Sequence, residues 1–303
     1  MKRNILLVTF ISIIILAAGI LFTLKFSENS AGRKIAASYS GSESCIPCHQ
    51  KFYDLWADSK HGLAMQPVTP GILKSLTAGN SERIRVGNGF FAVSLENDSL
   101  IYTEWEPGGA VNQYTAEHLM GGKYVFYFLT TIDKGKLQIL PLAYDIGNNS
   151  WYNNPESGVR HFETAEDSPL DWKSHLYTFN TTCYGCHVSQ VETNFNLESL
   201  SYNTSWREPG INCETCHGPS AGHIKASVRA GEGKTPADLK IVVTSGFTPE
   251  QHNSSCGSCH GKGSPIAGRY EPGGRYYDYF NLSLHSKIPI STLMAGTLGR
   301  IIQ

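Results

Sequence analysis

Behind Met1-Lys2-Arg3, an uncharged apolar run extends from Ile5 to Leu24 and ends at Lys25. At about 1.5 Å per residue such a run spans about 30 Å, the thickness of a bilayer core. It is longer than the apolar region of a cleaved signal, and no clear Ala-x-Ala site follows it directly. We therefore read an uncleaved signal anchor, with Lys2 and Arg3 kept in the cytoplasm and the rest of the chain exported. Residues 25–40 are polar and read as a tether. Phe52, Leu55 and Trp56 recur at helical spacing, and Pro67 and Pro70 close that stretch. Between 81 and 145 the pattern changes to β-branched and aromatic runs, such as Phe90–Leu95, Ser99–Thr103, Tyr124–Leu129 and Leu137–Leu140. Asn97-Asp98, Gly108-Gly109, Gly121-Gly122 and Lys134-Gly135 punctuate them, which predicts antiparallel strands and turns. Residues 227–240, with Gly231, Gly233 and Pro236, read as a flexible or weakly helical linker.

Composition adds three constraints. A formal net charge of −1 gives no electrostatic case for nucleic acid as a partner. Gly 30, Pro 14 and Tyr 15 point to a loop-rich chain. The 8 cysteines fall in four pairs, each with two intervening residues and a histidine directly after. They are Cys45/Cys48/His49, Cys183/Cys186/His187, Cys213/Cys216/His217 and Cys256/Cys259/His260. A shuffled chain would hold on the order of 0.01 such matches, so chance does not explain four.

That spacing is the signature of covalent haem. Two thiols add to the haem vinyl groups, and the adjacent histidine becomes the proximal iron ligand. Zinc knuckles also use paired cysteines but do not require a histidine after each second one. A thioredoxin-like pair would occur once, in a βαβ context. Four covalently bound haem c groups are therefore expected, with iron on His49, His187, His217 and His260. The close spacing of the last three motifs leaves the haems themselves to supply much of the apolar packing.

Seven histidines lie outside the motifs: His61, His118, His161, His175, His223, His252 and His285. They outnumber the plausible methionine ligands Met65 and Met120, which favours two histidines per iron and low potentials. His61 follows the first motif and His223 the third, and these lead the candidates for sixth ligand. His161 and His175 come next, then His118, His252 and His285.

Several separated stretches resemble the multihaem cytochromes related to cytochrome c-554. They are Tyr39–His61, Leu137–Asp145, Trp172, Asn180–Cys183 and Gly210–Pro219, within roughly residues 40–280. The resemblance implies closely stacked haems, mostly bis-histidine ligation and a role in exported electron transfer. It carries over no catalytic residue. Tyr270–Phe280 fits the same pattern, whereas Leu293–Gln303 departs from it, and we read a frameshift or truncation near 284–293.

The expected fold is α+β: a loop-rich, mainly α multihaem cytochrome c with stacked haems and a small antiparallel β insert, preceded by one N-terminal transmembrane helix. Its segments are an anchor (1–30), a first haem segment (31–80), a β-rich insert (81–150), a three-haem segment (151–265) and a tail (266–303). The leading function is electron carriage between membrane or periplasmic redox protein partners, on the outer face of the cytoplasmic membrane. An oxidoreductase acting on nitrite, hydroxylamine or a similar small nitrogen compound, at a haem with an open axial site, is the alternative. A haem-bearing sensor or assembly subunit that docks through the β insert is a third reading. The sequence leaves open whether a small-molecule substrate binds.

Overall fold

The computed structural model describes residues 38–76, 80–158 and 168–282, together with the single residue Ile14. Among the described residues no helix is long and apolar enough to cross a membrane. The predicted anchor from Ile5 to Leu24 lies, Ile14 aside, outside the described residues, as do His161, His285 and the divergent tail.

Among the described residues, ten strands and two α-helices lie between the first motif and Asn153. Helix α1 (Ile46–Ala57) is followed by strand β1 (Met65–Pro67) and helix α2 (Pro70–Ser75). Strands β2 (Ile84–Val86), β3 (Gly89–Glu96), β4 (Ser99–Trp105) and β5 (Val111–Thr115) form a four-stranded antiparallel sheet in that order. Strands β6 (His118–Gly121), β7 (Val125–Ile132), β8 (Lys136–Ile139), β9 (Leu142–Asp145) and β10 (Ser150–Asn153) join β1 in a second antiparallel sheet. Its order is β1-β6-β7-β9-β10, with β8 on β7.

Alternation explains how the sheets pack. In β4 the side chains of Leu100, Tyr102 and Glu104 are buried and their neighbours are not, so one face turns inward. Phe91 and Val93 of β3 face the same way. They join Phe126, Phe128, Leu142, Tyr144 and Trp151 of the second sheet in the larger apolar cluster. Tyr102 is wholly buried, and its hydroxyl donates to the Leu142 carbonyl at 2.9 Å, tying the two sheets together. The Asn97-Asp98 turn has both residues at positive φ (48° and 59°), the backbone that a two-residue hairpin requires.

The fold is therefore mixed α+β, and two expectations need correction. The β region is not a small insert: its sheets begin at Met65, end at Asn153 and hold the principal core. Nor are the described residues mainly α, because their longest helices have 12 residues and most are far shorter. The physical reason is that the strands carry apolar faces able to close a core from protein side chains. Beside the first and fourth motifs no apolar side chain is buried, whereas Phe179 and Val188 beside the second belong to the smaller apolar cluster.

The remaining helices mostly frame those motifs. They are α3 (Phe179–Thr182), α4 (Tyr184–His187), α5 (Cys213–His217), α6 (Ala221–Ala230), α7 (Pro249–His260) and α8 (Tyr276–Tyr279). A capping box between Thr248 and Gln251, with Pro249 in the first turn, starts α7. The predicted linker at 227–240 is helical as far as Ala230.

Candidate haem-binding sites

In each motif the second cysteine and the histidine lie on a helical turn; Cys213 and Cys256 lie on the same helix, and Cys45 and Cys183 stand at its N-cap. All eight thiols are free of disulfides. In α1 the helix kinks at His49 (φ −128°, ψ 32°), directly after the second cysteine.

The fold then brings rings together that lie far apart in sequence. His49 and His223 are nearly parallel, with centroids 6.3 Å apart and an interplanar angle of 21°. His61 and His260 have centroids 6.2 Å apart at 61°. Two metal–nitrogen bonds of about 2 Å, with about 1.2 Å from each nitrogen to its ring centre, give about 6.4 Å. Both pairs therefore have the spacing at which two imidazoles ligate one metal from opposite sides. Each extra histidine faces the histidine of a motif other than the one it follows.

Three imidazoles are oriented through their second nitrogen. His187 donates from Nδ1 to the Ala64 carbonyl at 2.8 Å, His217 to Val242 at 3.0 Å and His223 to Leu239 at 2.7 Å. Such a bond fixes the tautomer and leaves Nε2 as the ligating atom. Burial lowers the His187 pKa, and burial with the nearby His260 lowers that of His61, which favours the neutral, ligating form. These features fit haem iron.

The thiols also meet in pairs. Cys186 Sγ lies 3.5 Å from the Cys259 carbonyl, and Cys259 Sγ lies 3.7 Å from the Gly185 carbonyl. The hydrogen bond between these two thiols holds Cys186 up and brings Cys259 down to about 7. Burial and the neighbouring Cys213 thiol push Cys45 up to about 11. Cys216 is raised by burial and by Cys259 and Cys256. The second and fourth motifs thus touch, and the Cys213 N–H that opens the third donates to the Ser42 hydroxyl just ahead of the first.

The other sequence candidates fare differently. His175 is exposed in a short 3-10 turn and meets no other imidazole among the described residues. His118 packs edge-on against Trp206 at 5.2 Å, with Nδ1 buried and unpartnered. His252 lies edge-on to Phe247. Met65 and Met120 face each other across β1 and β6 inside the smaller apolar cluster. Among the described residues no imidazole stands opposite His187 or His217. Sequence reasoning missed the carbonyls of Ala64, Leu239 and Val242, which carry no residue-type signal. It also missed Glu208 and Glu214, which bind backbone near the first motif.

Residues 149–218 match the family model for cytochrome c554 and c-prime. No curated protein sequence matches. Among solved structures, the outer cell wall cytochrome OcwA is similar at 20% identity and a TM-score of 0.49, over 81% of this chain and 45% of that one. An undecahaem cytochrome from the S-layer of Carboxydothermus ferrireducens is similar at 17% identity and a TM-score of 0.43, over 73% of this chain and 25% of that one. The chain thus spans less than half the length of either. Residues 149–218, which hold the second and third Cys-x-x-Cys-His motifs, are thus similar to the cytochrome c554 and c-prime family.

Proposed function

We propose that this protein is an exported electron carrier that holds four haem c groups and passes electrons between redox protein partners. Covalently held haem would supply iron that cycles between ferric and ferrous states. The eight motif cysteines hold the groups, and His49, His187, His217 and His260 are the proximal ligands. His223 completes the site of the first motif and His61 that of the fourth. His161 remains a candidate for the second or third. The Ile5–Leu24 run anchors the chain in the cytoplasmic membrane and leaves its haem segments on the outer face.

The observation that carries this reading is the interleaving of the motifs. The rings of His49 and His260 lie 6.3 and 6.2 Å from those of His223 and His61, which follow other motifs, and the second and fourth motifs touch. A relay needs little else from the chain, because closely spaced sites with fixed ligands need no acid or base.

Electron paramagnetic resonance of the oxidised full chain, matured in a haem-attaching host, tests the proposal. Four low-spin haems per chain are expected. A high-spin haem that responds to nitrite or hydroxylamine would replace the carrier by an oxidoreductase. A chain without covalent haem would overturn both.

A further inference from the structure

Glu214 stands inside the third motif, between Cys213 and Thr215, and is 1% exposed. A carboxylate so buried needs hydrogen-bond partners. Its Oε1 accepts from the N–H groups of Ser40 at 2.9 Å and Ser220 at 2.8 Å, and its Oε2 accepts from Gly41 at 2.8 Å. Glu208, which precedes the same motif, accepts from the Ser42 N–H at 2.8 Å and the Ser42 hydroxyl at 3.1 Å. It also accepts from the Asn212 amide. The Ser42 hydroxyl in turn accepts from the Cys213 N–H at 3.3 Å. Ser38 closes the same seam, its carbonyl accepting from Ala221 at 3.0 Å.

These bonds converge on the segment that leads into the first motif. Ser42–Cys45 is a 3-10 turn, and Gly41 before it takes φ +85°, a left-handed conformation suited to glycine. The turn delivers Cys45, whose thiol meets that of Cys213. Two carboxylates of the third motif's surroundings thus grip the backbone just ahead of the first attachment cysteine.

We propose that Glu208 and Glu214 are positioning residues that set the spacing of the first haem against the third, and with it the electronic coupling between them. This rests on the haem-carrier reading and adds to it the device that fixes one step of the relay. Electron tunnelling falls steeply with separation, so a register held by five hydrogen bonds from residues 40–42 and 220 is a control point.

The test compares the matured native full chain with Glu214→Ala, Glu214→Gln and Glu208→Gln. Covalent haem is counted by mass, spin–spin coupling is read by low-temperature electron paramagnetic resonance, and amide exchange is followed over residues 38–45. Glu214→Ala should keep every haem and every axial ligand, lose the coupling between the first and third haems, and exchange at residues 38–45 about tenfold faster or more. Glu214→Gln keeps Oε1 for Ser40 and Ser220 and should recover most of the coupling. Unchanged coupling in Glu214→Ala would overturn the proposal, whether or not exchange quickens. If Glu214→Ala does not mature, Glu208→Gln decides in the same way, a weakened coupling supporting the proposal and an unchanged one overturning it. A native chain with its haems but without this coupling would refute the positioning role alone. A native chain without haem would overturn the carrier reading as well.

Discussion

His49 and His223 face each other almost in parallel across 6.3 Å, although one closes the first motif and the other follows the third. Sequence neighbourhood would give His223 to His217. The fold instead turns the His217 and His223 rings so that their Nδ1 atoms bond the carbonyls of Val242 and Leu239, on one loop. The Nδ1 bond leaves the His223 Nε2 available to ligate a metal, and the His49 ring stands 6.3 Å away.

The first prediction follows from this pairing. His223→Ala should leave the covalent haem count unchanged and convert one haem from low to high spin. Removing the first attachment site as well, through Cys45→Ala with Cys48→Ala, should abolish the new high-spin signal. Removing the third site through Cys213→Ala with Cys216→Ala should leave it. The reverse pattern in the resonance spectrum would assign His223 to its sequence neighbour.

His61 makes the same argument independently. It follows the first motif but stands 6.2 Å from His260 of the fourth. His61→Met should raise the potential of one haem, because methionine ligation favours the ferrous state. Spectroelectrochemistry on that variant, with and without Cys256→Ala and Cys259→Ala, identifies which haem moved. A shift that survives loss of the fourth site would refute the assignment.

What the sequence reveals and conceals divides along a physical line. Cys-x-x-Cys-His is a local covalent constraint, so all four motifs are legible by inspection. The strands of β3 and β4 are legible because alternation and the Asn97-Asp98 turn are local too. Strand β1 is not legible. Pro67 reads as a break, yet β1 lies at the edge of its sheet, where a missing N–H is tolerated. The distal pairings are set by tertiary contacts, and no periodicity reports those. The burial of Met65 likewise comes from its register opposite Met120, a long-range fact.

Glu104 supplies a pH prediction for the β sheets. It is 6% exposed and accepts from the Tyr114 hydroxyl at 2.7 Å, Asn112 at 3.1 Å, Trp172 at 3.4 Å and Lys173 at 3.3 Å. Burial alone would raise its pKa, but the bonds from Tyr114 and Asn112 and the Lys173 charge outweigh it and hold the group below its ordinary 4.5. A carboxyl depressed on folding stabilises above its unfolded value and loses that contribution as pH falls through the folded one. Thermal melts should therefore show stability falling below about pH 4.5 in the native protein, with a shallower fall in Glu104→Gln. At neutral pH, Glu104→Ala should cost about 2–3 kcal/mol, since it strands buried donors. An equal acid slope in Glu104→Gln would show that another group governs it.

The last prediction concerns a glycine that lays the chain entering the third motif against the turn that carries His61. Gly210 has φ +75°, and a methyl group on its α-carbon would overlap the backbone carbonyl of Gly62. Next to it, the Ile211 N–H donates to the His61 carbonyl at 2.8 Å, and the Ile211 carbonyl accepts from the Trp56 indole at 2.7 Å. The chain entering the third motif is thus laid directly on the turn that carries His61. Gly210→Ala imposes both a left-handed strain, of order 1 kcal/mol or more, and a backbone clash that only movement of the His61 turn can relieve. The expected result is a normal haem count with weakened His61 ligation, seen as a partly high-spin signal that disappears when the fourth site is removed. A fully low-spin spectrum in Gly210→Ala would mean that the turn can yield without moving His61, and that the close approach serves packing alone.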